Sequence, residues 1–110
     1  MLSLKTISAS LLATFLTSQG VQGFTTACIY DSYKCGVTLS GTAYGYNDTE
    51  LITAVNATTV IPPLTIAQLS QTIFRCADTS GTIVANAFCI NGCQDLEPHN
   101  GATSNDQCTI

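Results

Sequence analysis

Residues 72–90 read Thr-Ile-Phe-Arg-Cys-Ala-Asp-Thr-Ser-Gly-Thr-Ile-Val-Ala-Asn-Ala-Phe-Cys-Ile, and this stretch decides the fold class. Thr72 to Cys76 is rich in β-branched and aromatic residues and predicts a strand; Thr82 to Ile90 predicts a second. Between them Asp78-Thr-Ser-Gly81 is turn chemistry: the Asp carboxylate bonds backbone two residues on, and Gly adopts positive φ without steric strain. A connection of five residues suits antiparallel neighbours, so the segment predicts a hairpin.

Upstream of the hairpin, Thr65 to Gln68 has the T-x-x-Q pattern of a capping box. It predicts a helix from Ile66 to about Gln71, with Ile66 and Leu69 inward. Val60-Ile-Pro-Pro-Leu64 separates this helix from an earlier one over Asp48–Val55, which Asn47 caps and Glu50 supports as a first-turn acid. Leu51, Ile52 and Val55 form its predicted inner face. Residues 28–39, Cys-Ile-Tyr-Asp-Ser-Tyr-Lys-Cys-Gly-Val-Thr-Leu, predict one or two short strands closed by Ser40-Gly41. Downstream, Asn91-Gly92 is a turn, and Gln94 to Gln107 is a polar tail in which Leu96 is the sole large apolar residue. The tail predicts a loop that orders little of itself and is tied down at Cys93 and Cys108. Strand, helix, helix, hairpin and tail describe a small disulfide-rich α+β domain, with short helices packed on an antiparallel sheet.

The start of the chain sets the compartment. Lys5 precedes an apolar run from Ile7 to Leu16, and small residues lead to Val21-Gln22-Gly23. This is the charged, apolar and small-residue order of a secretory signal peptide, and the run is too short for a membrane span of about 20 residues. The reading divides the chain into a leader, 1–23, and a single domain, 24–110, which is secreted and extracellular. All six cysteines (Cys28, Cys35, Cys76, Cys89, Cys93 and Cys108) fall in the domain. An even count in a short exported chain predicts a full disulfide framework, of unknown connectivity among about 15 possible pairings. The longest staple, from Cys28 or Cys35 to Cys108, is expected to matter most, because it closes the longest loop. Zinc is disfavoured: there is no C-x-x-C pair, and the closest spacing is Cys89-x-x-x-Cys93.

Charge then excludes partners. Lys5 leaves with the leader, so Lys34 and Arg75 face seven acids and the domain carries a net charge of −5. Two isolated bases cannot neutralise phosphates, which argues against nucleic acid and against anionic membranes. No nucleophile–base pattern stands out. His99 lies in Glu97-Pro98-His99-Asn100 and reads as an exposed loop residue, and Arg75 reads as a sheet-edge or surface residue. Asp95, Glu97 and Asp106 lack the order of a calcium loop and read as solvated acids. Neither a metal nor a cofactor is expected. Asn47-Asp-Thr49 and Asn56-Ala-Thr58 are glycosylation sequons. Tyr33, Tyr44 and Tyr46 cluster around Gly36 and Gly45, either as a sugar-stacking group or as ordinary packing. Asp95, Leu96, Glu97 and His99, in a long polar loop pinned at both ends, are the expected binding residues.

The whole profile resembles the small cysteine-rich secreted proteins of filamentous fungi, many of them candidate effectors. It rests on the leader, the short acidic domain, the six cysteines, Tyr33-Lys-Cys-Gly-x-x-Leu39, Gly45-Tyr46 and Phe74-Arg-Cys76 before a Gly-turn hairpin. The resemblance implies a non-enzymatic interaction protein, a virulence factor that acts on a host or apoplastic protein, most simply as a monomer. Ala27 to Gly36 and the end near Cys108 are also similar to fungal guanyl-specific ribonucleases and their inactive relatives. Those enzymes use two histidines, a glutamate and an arginine, whereas this chain has one histidine, outside any matching strand. Thr38-Leu39, Leu51 and Asn56 are partly similar to a chitin-binding LysM module, with Gly36-Val37 in place of Gly-Asp. That likeness implies binding of wall polysaccharide.

Overall fold

Three strands form the main sheet: β1 (Tyr33–Cys35), β2 (Thr72–Cys76) and β3 (Ile83–Phe88), in the order β1-β2-β3 with both pairs antiparallel. The computed structural model describes residues 23–101 and 103–110; the predicted leader, apart from Gly23, lies outside the described residues, as does the side chain of His99. β2 and β3 are the predicted hairpin. Lys34, Phe74 and Ala85 lie in register across the sheet, and all three are buried. The register shifts between Ile73, opposite Ala87, and Phe74, opposite Ala85, so Asn86 is the extra residue of a bulge. A bulge interrupts the two-residue period, which explains why the exposure of β3 does not alternate cleanly.

Helix α2 (Asp48–Asn56) packs against β3. Its buried residues are Leu51, Ala54 and Val55, the i, i+3, i+4 set that shares one helical face. Ile52, expected inward, flanks that face and is half-buried. The capping box is complete: Asn47 Oδ1 accepts the Glu50 N–H at 2.8 Å, and Glu50 Oε1 accepts the Asn47 N–H at 3.0 Å. Asn47→Ala should therefore lower stability by about 1 kcal/mol. A urea midpoint unchanged from wild type would show that the cap contributes nothing.

Two local expectations are corrected. Residues 36–39, read as part of a strand, form a single helical turn, α1 (Gly36–Leu39). A Cβ on Gly36 would meet the Leu69 carbonyl oxygen at 1.9 Å, so this glycine lets two backbones touch, and Val37 N–H donates to Ser70 O nearby. That approach bends the chain out of the sheet and overrides the β propensity of Val37 and Thr38. The helix α3 (Ile66–Leu69) is also shorter than expected, although Gln68 Oε1 accepts the Thr65 N–H at 2.8 Å as predicted. One turn reaches the core only at Leu69, 1% exposed, and leaves Ile66 60% exposed.

The disulfides are Cys28–Cys76, Cys35–Cys93 and Cys89–Cys108, and no cysteine is free. The expected staple from Cys28 or Cys35 to Cys108 is not formed. Instead the tail is fixed twice, at Cys93 to β1 and at Cys108 to the end of the hairpin. It also carries regular structure of its own: β4 (Cys93–Gln94) pairs antiparallel with β5 (Gln107–Cys108), and α4 (Glu97–Asn100) lies between them. The expectation of a tail unable to order itself is thereby corrected.

What orders the tail is polar. Asp106 is 3% exposed; its Oδ2 accepts the Cys35 N–H at 2.8 Å and the Thr38 hydroxyl at 2.6 Å, and its Oδ1 accepts the Leu96 N–H at 2.9 Å. Asp106 N–H donates to Tyr33 O, and Asn105 Oδ1 accepts the Tyr33 N–H, so the tail covers the outer edge of β1. Count of apolar residues missed this, because a buried carboxylate saturated by donors substitutes for apolar burial as the ordering force.

Candidate functional site

Three of the four tail residues expected to bind a partner, Asp95, Leu96 and Glu97, make contacts within the fold. Lys34, 1% exposed, places its Nζ 2.8 Å from Glu97 Oε2 and donates to Ser104 O at 2.7 Å. Tyr44 donates its hydroxyl to the same Glu97 oxygen at 2.6 Å. Asp95 Oδ1 accepts the Glu97 N–H, and Leu96 N–H is held by Asp106. Glu97 thus latches the tail onto the buried Lys34 ammonium, with its backbone held by Asp95 and the neighbouring Leu96 tied to Asp106. The backbone of His99 stands in α4, off the main sheet. The solvated reading of Asp106 and Glu97 is corrected by the same contacts. Among the described residues, no group of three or more His, Cys, Asp or Glu side chains is placed to hold a metal ion.

Breaking the latch has a calculable consequence. Glu97→Gln keeps a carbonyl that can accept from Lys34 but removes the charge opposite a buried ammonium. Stability should fall by about 2 kcal/mol, the scale of a hydrogen bond to a charged group. An unshifted melting midpoint would mean that Lys34 finds adequate compensation at Ser104 O alone.

The three tyrosines do not form an exposed aromatic cluster. Tyr44 and Tyr46 are core residues, 4% and 3% exposed. Burial is the main cause that raises the Tyr44 phenol well above its usual range, and the Glu97 hydrogen bond and charge add to it. Burial likewise raises Tyr46, whose hydroxyl donates to Gly81 O at 2.6 Å and accepts the Cys28 N–H. The folded state therefore favours the protonated phenols. Their contribution is fully present below the unfolded value of about 10 and is lost as pH rises through the higher folded values. In an alkaline absorbance titration, two of the four tyrosines should ionise only as the fold is lost. Ionisation of all four before any loss of near-UV dichroism would contradict this burial.

Tyr46 instead forms the floor of a cleft. Phe24 stacks on it with ring centroids 4.6 Å apart and planes 21° from parallel. The cleft, about 330 Å³, lies between Phe24, one side of α2 (Glu50, Thr53) and the hairpin turn with the start of β3 (Ser80 to Ile83). Each wall has a local cause. The Glu50 carboxylate is oriented by the capping box. The turn is held by Asp78 Oδ1, which accepts the Ser80 and Thr82 N–H groups at 2.9 and 3.1 Å; the bonds from Thr82 and then Ser80 keep this carboxyl below its usual range. Gly81 takes φ +91°, and a Cβ there would stand 2.8 Å from Phe24 Cζ and 2.9 Å from the Tyr46 hydroxyl. Only glycine lets the turn close onto the aromatic pair.

No family model, curated protein or solved structure matches the chain. Its three disulfides fit a small secreted-type protein, and among the described residues no helix is long and apolar enough to cross a membrane. Of the cleft residues, sequence reasoning had singled out Tyr46 for stacking, Glu50 as a helix cap and Ser80-Gly81 as a turn. Phe24 went unnoticed, although it is the first residue after the predicted cut. Arg75 lies in the central strand β2, where its guanidinium is 3.8 Å from Asp31 Oδ1, and it is not one of the residues that line the cleft.

Proposed function

We propose that this chain is a secreted, non-enzymatic interaction protein of the fungal effector class, and that it engages a host or apoplastic target through the cleft beside α2. The observation that carries the reading is the cleft itself: an aromatic floor with a rim of one carboxylate and three hydroxyls, on a frame cross-linked by three disulfides. Binding sites combine a mainly apolar surface with a few placed polar groups. The absence of catalysis is part of the proposal. In support, the Thr53, Ser80 and Thr82 hydroxyls share the cleft with Glu50 as the one carboxylate of its lining, and one oxygen of that carboxylate is used in the helix cap. Asn47 and Asn56, both exposed, are the proposed glycan acceptors at the two ends of α2. The functional unit is proposed to be the monomer.

The test is a variant that blocks the cleft without touching the core. Thr53 is exposed on α2, and Thr53→Lys places a long cation there while improving helix propensity. The variant should fold with its disulfides intact and lose biological activity on host tissue. Full activity of the folded variant would refute the cleft as the interaction site. A second reading, binding of wall polysaccharide, is favoured by the half-buried Phe24 ring at the cleft, since sugar rings lie on aromatic faces. Retention on insoluble chitin or glucan tests it. The third alternative is a ribonuclease-like fold without catalytic activity; RNA cleavage by the mature protein would refute the non-enzymatic reading.

A further inference from the structure

The predicted cut falls beside Glu50. A Cβ on Gly23 would overlap Asn47 Nδ2 and stand 3.0 Å from Glu50 Oε1, so the Gly23 backbone rests on the cap of α2. The residues that follow are pinned. Phe24 stacks on Tyr46, the Thr25 and Thr26 N–H groups both donate to Tyr44 O, and Cys28 is bridged to Cys76. The Phe24 nitrogen is joined to Gly23 and is therefore fixed near the Glu50 carboxylate. Glu50 Oε1 accepts the Asn47 N–H, and Oε2 makes no hydrogen bond among the described residues. No strong base lines the cleft: Lys34 is buried against Glu97, and Arg75 stands by Asp31. The half-buried Glu50 thus receives no countercharge from a side chain of the cleft lining.

We infer that removal of residues 1–23 supplies the countercharge: the freed α-ammonium of Phe24 pairs with Glu50, and the pair clamps the Phe24 ring on Tyr46 as a wall of the cleft. The step is hydrolysis of the Gly23–Phe24 peptide bond by a signal peptidase. Water adds its oxygen to the Gly23 carbonyl carbon, the C–N bond breaks, and both water protons end on the Phe24 nitrogen, which leaves a carboxylate and an ammonium. Before the cut the same nitrogen is a neutral amide and offers Glu50 no charge. The positive end of α2, about half a charge, opposes a cation there. Glu50 and Asp48 in its first turn outweigh it, and Asp78 in the hairpin turn adds to them. The charges of Glu50 and Asp78 already bear on the Tyr46 hydroxyl. The other titratable groups of the elements around Phe24 are Tyr44 and Tyr46, both held as neutral phenols. This inference rests on the predicted cut after Gly23, and not on the cleft being the interaction site.

The test uses the secreted, disulfide-intact protein, whose intact mass should give a chain that starts at Phe24. Lys34 carries the other amine of that chain and is buried, so acetic anhydride near neutral pH should modify the α-amine first. Acetylation should lower the melting midpoint by about 3 °C in mildly acidic buffer of low salt, and by less as salt rises. In Glu50→Gln, which keeps the capping box, the loss should be below about 1 °C. Pairing raises the α-amine above its usual value of about 8. Its contribution is therefore fully present below that value and is lost as pH rises through the higher folded one. For the same reason the α-amine of Glu50→Gln should acetylate at least about threefold faster than wild type near neutral pH, the change that about half a pKa unit makes in free amine. An equal loss of melting midpoint in wild type and Glu50→Gln, or equal rates of acetylation, would overturn the inference. A secreted chain that starts elsewhere would overturn it too, and would leave the cleft standing as an interaction site. If the pair forms and the folded Thr53→Lys variant keeps full biological activity, the interaction reading falls and the pairing stands.

Discussion

Full reduction of the mature protein should abolish its tertiary structure at room temperature. The three bridges span 48, 58 and 19 residues of sequence. In the chain-entropy account the two long closures are each worth about 4 kcal/mol and the short one about 3 kcal/mol, with overlap between the interleaved loops reducing the sum. A domain of this size has a total stability of roughly 5–10 kcal/mol, so the reduced chain falls below the threshold for folding. The bridges are also distributed so that no part of the sheet is spared. Cys28–Cys76 ties the N-terminal segment to β2, Cys35–Cys93 ties β1 to β4, and Cys89–Cys108 ties the end of the hairpin to β5. Near-UV circular dichroism under reducing conditions checks the expectation. A reduced protein that retained its near-UV spectrum would show that the core around Phe74 suffices alone.

Asp106→Ala should be strongly destabilising, at about 4 kcal/mol, on the scale of truncating a large core side chain. Three donors converge on this carboxylate: the Cys35 N–H, the Thr38 hydroxyl and the Leu96 N–H. Truncation leaves them without an acceptor at a site that is 3% exposed, and each orphaned buried donor costs about 1–3 kcal/mol before water relieves part of it. Asp106→Asn should also destabilise, though less. One amide oxygen can replace one carboxylate oxygen, but the amide nitrogen then faces a donor and cannot accept. The signature is local as well as global. Hydrogen exchange at Tyr33, Cys35 and Leu96 should accelerate more than at the β2–β3 ladder, because the tail detaches from β1 while Cys93 and Cys108 keep it tethered. Equal protection in the Ala variant and wild type would mean that the disulfides alone hold the tail.

These two expectations mark the boundary between what was legible in the chain and what was not. The hairpin was legible because its signals are local: β-branched runs on either side of Asp78-Thr-Ser-Gly81. Both capping patterns, Asn47 with Glu50 and Thr65 with Gln68, were legible because each closes within four residues. The class of fold followed from these elements in order. Ile66 was misplaced because one turn of helix gives periodicity too little length to define a face. Gly36 to Leu39 was misread because the contact that bends it, with Leu69 and Ser70, comes from more than thirty residues away.

The candidate site was less legible still. Glu50 looked like a cap and is one; that one of its oxygens also lines a cleft depends on where Phe24 and the hairpin turn come to rest. The tail shows the difference most clearly. Read as sequence, Asp95, Glu97 and Asp106 are acids in a polar run, and Lys34 is one of two isolated bases. Only the folded chain brings Lys34 to Glu97 and Asp106 to Cys35 and Thr38, across separations of about sixty to seventy residues. The sequence by itself determined the α+β class, the helix caps and the complete pairing of the cysteines, since each follows from local chemistry or an even count. Tertiary structure decided which cysteines pair, that the tail is a latch, and that an aromatic cleft exists. Those outcomes depend on the meeting of distant groups, and a buried charge selects its partner only once both have left water.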